Sequence, residues 1–232
     1  MSETAGKRVL FVLTGNERLG DTGRKTGYHL KEVAHPWRVL RDAGIHVDFA
    51  TPHGGPAPMD PNSHDLEDDD NRGLLEDPDA SKALENTRAA ADIRANEYDA
   101  IYFAGGHGTM WDLPDDTSLA RLAADIYERG GVVGAVCHGP AGLVNVKLSD
   151  GTYLVAGRTL AAFTDDEERA VGLDSTVPFL LASQLVERGA KHQAAGNFEA
   201  NVAVDGRLVT GQNPASARGV GEALRDALAS LQ

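Results

Sequence analysis

The residue best suited to covalent chemistry is Cys137, the only cysteine among the 232 residues. It lies inside the stretch GGVVGAVCHGP, residues 130–140, where an apolar β-branched run is bounded by glycine. Such a run predicts a short buried strand, and the turn after it predicts a helix that begins at Pro140. At a strand-to-helix elbow, backbone N–H groups and the positive end of the helix lower the pKa of a thiol. We therefore expect Cys137 to be a nucleophile; the alternative is a small buried apolar residue.

A second glycine-rich turn follows another predicted strand. The sequence GGHG at residues 105–108 comes directly after the apolar run at residues 99–104. Ligands of parallel sheets collect beyond the carboxyl ends of the strands, so this turn and the one at Cys137 are expected to meet. Backbone N–H groups in such turns bind an oxygen that develops negative charge. We predict an oxyanion or substrate-binding site made of Gly105, Gly106, His107 and Gly139; the alternative is a plain turn at a strand end.

Two kinds of side chain could exchange protons with the thiol. His138 follows Cys137 in the chain, so its ring is expected to point away from the sulfur, toward an orienting carboxylate among residues 165–168. Those four acids are also typical of the solvated first turn of a helix. Glu32 lies among apolar neighbours in a predicted helix, and partial burial at the sheet edge would raise its pKa. The alternative for Glu32 is an ordinary surface position.

The elements that must position these residues alternate between strands and helices. Strands are predicted at residues 7–14, 45–50, 99–104, 130–136, 153–155, 159–163, 201–204 and 207–210. Helices are predicted at residues 26–44 with a kink at Pro36, 117–129, 178–188 and 220–231. The last two strands enclose Asp205 and Gly206, a strong hairpin signal. The expected fold is one α/β domain over residues 1–232, with a solvated acidic excursion at about residues 51–93 in which short helical pieces are expected around residues 74–93.

The composition excludes several classes of function. The formal net charge of −13 argues against binding to nucleic acid or to an anionic membrane surface. No apolar run could span a membrane, and residues 1–7 lack the apolar core of a signal peptide, so we expect a cytoplasmic protein. The GGHG turn lacks the spacing of a dinucleotide site. We expect no organic cofactor and no metal, because no metal-binding spacing joins His29, His46, His53, His64 and His107.

Several stretches, in chain order, resemble the ThiJ/PfpI superfamily. They are KTG at residues 25–27 with Glu32 and HP at 35–36, GGHGT at 105–109 with DLP at 112–114, AVCHGPA at 135–141, FTD at 163–165 and GRLVTGQNPAS at 206–216. The superfamily is related to class I glutamine amidotransferases, and the sequence is most similar to its heat-inducible chaperone and glyoxalase III branch. The resemblance implies a flavodoxin-like α/β sandwich, with a mostly parallel central sheet and helices on both faces.

The resemblance also implies roles for individual residues. Cys137 would be the nucleophile, His138 the second member of a triad-like group, and Glu32 the carboxylate that contacts the thiol. Gly106 and the backbone at His138 would bind the oxyanion. In this branch a carboxylate that follows the Phe-Thr-Asp motif orients the histidine. The candidates for that carboxylate are Glu168, by its spacing from the motif, and Asp165 or Glu167.

The resemblance implies a glutathione-independent glyoxalase of the D-lactate dehydratase type, a lyase. Cys137 would attack a small 2-oxoaldehyde such as methylglyoxal, and the hemithioacetal would become a 2-hydroxy acid, lactate. Glycated protein is a possible second substrate, for a deglycase activity, and relatives suggest a homodimer. One alternative is a cysteine-dependent amidohydrolase or peptidase that works through an acyl-thioester. Another is a holdase chaperone or oxidative-stress sensor in which Cys137 is oxidised.

Overall fold

The computed structural model describes residue 4 and residues 6–231. The prediction that residues 1–7 lack the core of a signal peptide falls partly on residues 1–3 and 5, which lie outside the described residues. The strands are β1 (Arg8–Val12), β2 (His46–Thr51), β3 (Arg88–Ala89), β4 (Ala100–Phe103), β5 (Val132–Val136), β6 (Thr159–Leu160), β7 (Lys191–His192), β8 (Val202–Asp205) and β9 (Leu208–Gly211). The α-helices are α1 (Leu30–Asp42), α2 (Asp69–Glu76), α3 (Pro78–Glu85), α4 (Thr109–Asp112), α5 (Thr117–Glu128), α6 (Asp165–Ala170), α7 (Leu181–Glu187) and α8 (Ala217–Ala229).

The central sheet is mostly parallel, which confirms the predicted fold class. Its strand order is β3-β2-β1-β4-β5-β9-β8, and only the β8–β9 hairpin is antiparallel. Parallel neighbours need a crossover, and helices supply it on both faces. Apolar side chains of α1 and α8 pack in one core, while those of α5 and α7 pack in the other. Strands β6 and β7 pair separately.

The first strand shows why a continuous apolar run forms an inner strand. Successive side chains of a strand point to opposite faces, so a sheet covered on both faces needs apolar residues at every position. Val9 and Phe11 lie in the core with α1 and α8, whereas Leu10 and Val12 lie in the other core. All four are fully buried. Each such side chain contributes roughly 1.5–3 kcal/mol of transfer free energy to folding.

Helix α1 begins later than predicted. Residues 26–29 form an extended segment in which Tyr28 pairs with Met59, and the helix starts at Leu30. Pro36 stands inside the helix, and because it has no N–H it cannot bond the carbonyl of Glu32 one turn earlier. The hydroxyl of the fully buried Tyr102 donates to that carbonyl instead, at 2.6 Å. The helix therefore continues through the proline with the freed carbonyl satisfied by the neighbouring strand.

The acidic region at residues 51–93 is only partly solvated, so the predicted excursion needs correction. It forms α2, α3 and the edge strand β3, and it buries Leu74 and Leu84 in the core that also contains α1. Asp70 pairs with Arg38 of α1 and with Arg218 of α8. Asp70 is thus paired with basic residues of two sheet-covering helices, and apolar spacing in so polar a stretch was too sparse to reveal the buried leucines.

Two further predictions have different outcomes. The predicted strand at residues 153–155 is wrong, because residues 154–157 form a turn and only Tyr153 makes an isolated bridge, to Lys147. The hairpin of β8 and β9 around Asp205 and Gly206 is confirmed. Over residue 4 and residues 6–231, no helix combines the length and the apolar character needed to cross a bilayer.

Candidate active site

Cys137 occupies a strained elbow between β5 and a 3-10 helix. Its φ of +59° lies in the left-handed region, which non-glycine residues rarely adopt. The backbone holds the residue from both sides: its N–H donates to the carbonyl of Gly211 and its carbonyl accepts from the N–H of Phe163, each at 2.9 Å. The predicted helix follows as the 3-10 helix Gly139–Leu143. The elbow therefore stands at the carboxyl edge of the sheet, between β4 and β9.

His138 lies between the thiol and a carboxylate. Its Nδ1 is 3.4 Å from Sγ of Cys137, so the prediction that the ring points away from the sulfur is wrong. On the other side, Nε2 is 2.6 Å from Oε2 of Glu168. Side chains of consecutive residues point apart in an extended strand, but the chain has left the extended conformation at Cys137, whose φ is +59°. Thiol, imidazole and carboxylate thus stand in a row.

Glu168 serves a second imidazole as well. Its Oε1 is 2.7 Å from Nε2 of His107, so one carboxylate bridges two histidines. The rings of His107 and His138 are 4.1 Å apart at their centroids, and Phe163 packs against His138 at 4.3 Å. The sequence placed His107 in the oxyanion turn but gave no sign of this contact, which joins residues 61 positions apart. Phe163 was noted only as part of a motif.

The charges of this row follow from burial and hydrogen bonding. Burial alone would raise the pKa of Glu168, but hydrogen bonds from His107 and His138 lower it to about 2. Burial lowers the pKa of His138 to about 4, and the neighbouring His107 adds to that. At neutral pH the carboxylate is ionised and accepts the Nε2 proton, so we assign the lone pair of His138 to Nδ1, facing the sulfur.

Glu32 lies fully buried near the thiol. Burial raises its pKa to about 8, although the Cys137 thiol and the N–H of Gly105 oppose that rise. Neither carboxyl oxygen lies within hydrogen-bonding geometry of a protein donor among the described residues, so these two groups stabilise the charge only weakly. At neutral pH Glu32 is therefore mainly a protonated acid. Its backbone position is fixed by Tyr102, which bonds the carbonyl freed by Pro36.

The predicted low pKa of the thiol is wrong for this resting structure. Burial raises the pKa of Cys137 well above its ordinary value, Glu32 raises it further, and the N–H of His138 only partly offsets this. The sequence argument counted the elbow N–H groups and omitted burial, which depends on the whole fold. The thiol thus needs a base to become a nucleophile, and Nδ1 of His138 is the base within reach.

The glycines of both turns are required by close packing. A Cβ added at Gly105 would lie 2.3 Å from Oε2 of Glu32, and one at Gly139 would lie 2.1 Å from the carbonyl oxygen of Phe103. Gly106 has a φ of +110°, and its Cβ would lie 2.2 Å from the carbonyl oxygen of Gly27. These contacts bring the two turns together beside Glu32 and Cys137. Their role in binding an oxyanion stays a prediction.

The acids of α6 have separate positions. Glu167 and Glu168 are buried, so a fully solvated helix start is wrong for both. Glu167 caps the helix with Thr164, and its Oε1 also accepts from the N–H of Phe198, whose φ is +62°. Asp165 instead accepts from Ser183 at the surface. Of the three candidates for contact with His138, the structure brings Glu168 to the ring.

Among the described residues, two side-chain clusters have donor atoms close enough to bind a metal ion. One consists of His107, His138 and Glu168, and the other of His35, Asp68 and Asp70; the donor atoms of each lie within 4.8 Å of one another. Spacing in the sequence could not reveal either cluster, because each joins separate elements. His29 was also missed as a site residue: it precedes α1, its buried Nδ1 lacks a partner among the described residues, and burial lowers its pKa to about 4.

Comparison with known proteins gives consistent similarities. A model of the DJ-1/PfpI family matches residues 25–225. Glutathione-independent glyoxalase HSP31 of Saccharomyces cerevisiae is 36% identical, with 97% of this chain and 99% of the relative covered. The solved structure of glyoxalase III from Candida albicans has a TM-score of 0.87 at 32% identity, covering 95% of this chain and 97% of that one. The solved structure of Rapid Encystment Protein 24 KDa from Francisella tularensis has a TM-score of 0.92 at 40% identity, covering 96% of this chain and 99% of that one.

Proposed function

The chain belongs to the DJ-1/PfpI family, and from that premise we propose that it is a glutathione-independent glyoxalase that converts a 2-oxoaldehyde such as methylglyoxal into lactate. The observation that carries the proposal is the position of Cys137 between two proton carriers. Nδ1 of His138 lies 3.4 Å from the sulfur, and the carboxyl of Glu32, whose pKa is about 8, lies near the same sulfur. An aldehyde isomerisation needs a nucleophile and a group that moves a proton between carbons.

The first step makes the nucleophile. Nδ1 of His138 takes the thiol proton, and Glu168, ionised and bonded to Nε2 at 2.6 Å, stabilises the imidazolium. The sulfur then attacks the aldehyde carbon, and the imidazolium returns its proton to the new alkoxide. The product is a neutral hemithioacetal. We assign the backbone N–H groups of Gly106 and His138 to the developing oxyanion.

The second step moves hydrogen within the substrate. Glu32, in the fraction that is ionised at neutral pH, removes the proton from the former aldehyde carbon. The hydroxyl proton on that carbon passes to the ketone oxygen, and an enediolate results. The same carboxyl then delivers a proton to the neighbouring carbon, so one carbon is oxidised and the other is reduced by the same electron pair. Hydrolysis of the resulting thioester releases the 2-hydroxy acid and restores the thiol. Atoms and electrons balance with water as the only other reactant, so the scheme uses no organic cofactor.

A cysteine-dependent amidohydrolase is the second candidate, because the row of Cys137, His138 and Glu168 also has the order of nucleophile, base and orienting acid. Hydrolysis of an amide needs no proton carrier at a carbon atom, so Glu32 separates the two candidates. Action on glycated protein, a homodimeric assembly and a chaperone or sensor role stay predictions.

The deciding experiment measures lactate from methylglyoxal without glutathione. Cys137→Ser should abolish the product, and Glu32→Gln should lower kcat by about 10²-fold or more, as expected for a lost general base. Glu222→Gln, an exposed glutamate of α8, makes the same chemical change away from the site and should keep the wild-type rate. Absence of lactate at high enzyme concentration would overturn the glyoxalase proposal. Amide cleavage that needs Cys137 and survives Glu32→Gln would favour the hydrolase.

A further inference from the structure

Three side chains from separate elements converge beside the thiol. His107 comes from the turn after β4, His138 from the elbow after β5, and Glu168 from α6. Oε1 of Glu168 lies 2.7 Å from Nε2 of His107, and Oε2 lies 2.6 Å from Nε2 of His138. The possible ligand atoms of all three residues lie within 4.8 Å of one another. Two imidazole nitrogens and a carboxylate oxygen form a donor set that is common for zinc in proteins.

We propose that His107, His138 and Glu168 bind Zn²⁺, and that the bound ion inhibits the enzyme. The binding part stands without the proposed function, whereas the inhibition part rests on it. Donor atoms around a tetrahedral zinc ion with bonds of about 2.0–2.1 Å stand about 3.4 Å apart. The two hydrogen-bonded pairs, at 2.7 and 2.6 Å, therefore need to open by less than about 1 Å. Rotation of the carboxyl supplies such a change.

The proton balance explains the inhibition. To bind zinc through Nε2, each imidazole moves its proton from Nε2 to Nδ1, so no proton is lost from either ring. In His138 that Nδ1 lies 3.4 Å from Sγ of Cys137. Once protonated there, Nδ1 donates toward the sulfur and no longer accepts the thiol proton. Zinc thus removes the base on which the nucleophile depends.

The cluster is open on one side. The side chain of His107 is 17% exposed, whereas those of His138 and Glu168 are 1% and 2% exposed. An ion would therefore arrive past His107, the least buried of the three ligands, and water or a substrate oxygen would complete the tetrahedron. Three protein ligands with an open fourth position are the usual arrangement of an accessible zinc site.

The other cluster with metal-like composition already has cationic partners. Both oxygens of Asp70 are engaged, one by Arg38 and the other by Arg218. Asp68 accepts two backbone N–H groups at the start of α2 through Oδ1 and lies 2.8 Å from Nε2 of His35 through Oδ2. A cation there would face two guanidinium groups. His35 therefore supplies a matched histidine control.

The test titrates the purified protein with Zn²⁺ in a calorimeter and with Co²⁺, which reports ligand type through its visible and near-ultraviolet bands. We expect one ion per chain, in a tetrahedral cobalt spectrum that lacks a thiolate-to-cobalt band. His107→Ala and Glu168→Gln should each weaken binding by at least about tenfold, since even an outer-shell partner is worth that much. Cys137→Ser and His35→Ala should bind as the wild type does.

The Cys137→Ser result separates this inference from the proposed function, because that variant is inactive yet keeps all three ligands. No binding by the wild type, binding lost in Cys137→Ser, binding lost in His35→Ala, or binding unchanged in both His107→Ala and Glu168→Gln would each overturn the site. In the active enzyme, zinc should stop lactate formation and a chelator should restore it. Stoichiometric binding with undiminished lactate formation would overturn the inhibition.

Discussion

The stability of the Glu32→Gln variant relative to the wild type should be greater at alkaline pH than at acidic pH. Burial raises the folded-state pKa of Glu32 to about 8 from an ordinary value of 4.5. The neutral form of Glu32 makes its full contribution to the free energy of unfolding below about pH 4.5. This contribution is lost as the pH rises to about 8, because the unfolded chain ionises at a lower pH than the folded protein does. Glutamine cannot ionise, so the variant avoids this loss.

The size of the effect follows from the two pKa values. For each pH unit between these two values, the wild type loses about 1.4 kcal/mol of its free energy of unfolding. Over the whole interval the loss is about 5 kcal/mol. Between pH 5 and pH 8 the gap between variant and wild type should widen by about 3–4 kcal/mol. For a chain of this size that corresponds to roughly 10 °C in Tm. Any packing cost of the glutamine amide is the same at both pH values and leaves this change untouched.

Urea unfolding at pH 5 and pH 8 measures the change directly. Glu222→Gln serves as the control, because it makes the same chemical change at an exposed position of α8. The control should track the wild type at both pH values. A difference between Glu32→Gln and the wild type that stays constant within about 1 kcal/mol would refute the view that burial keeps Glu32 neutral.

Three further predictions test the surrounding contacts. Tyr102→Phe should cost about 1–3 kcal/mol in urea unfolding by leaving the Glu32 carbonyl unpaired. Pro36→Ala in the same chain should return most of that loss, and simple additivity of the two changes would contradict the pairing. Glu168→Gln should lower kcat/KM for methylglyoxal by about 10²–10⁴-fold, because a neutral amide does not stabilise the imidazolium; an unchanged rate in steady-state assays would count against this role. Gly139→Ala should lower the Tm through a loss of about 1–3 kcal/mol of stability, since the new Cβ would lie 2.1 Å from the Phe103 carbonyl oxygen. An unchanged melting curve would show that the backbone relaxes at no cost and would contradict this prediction.

Local patterns in the sequence were sufficient for the elbow and for every strand of the central sheet except the edge strand β3. The apolar run before Cys137 and the glycines around it specify a strand and a tight turn from neighbouring residues alone. The bridge from His107 to Glu168 spans 61 residues, so no spacing rule could reach it. The pKa of the thiol was predicted in the wrong direction for the same reason. Backbone N–H groups at the elbow are a local feature, whereas complete burial is created by segments far away in the chain.

The raised pKa of the thiol also bears on which role of Cys137 the site supports. Oxidation of cysteine follows the fraction of thiolate and its exposure to solvent. Here the residue is 3% exposed, and both burial and Glu32 favour the protonated form. An oxidation sensor needs the opposite conditions. A turnover enzyme does not, because His138 can take the proton when an aldehyde stands ready to receive the sulfur. The geometry of Cys137 therefore favours catalysis over sensing, and it does so through the same burial that overturned the expectation of a low thiol pKa.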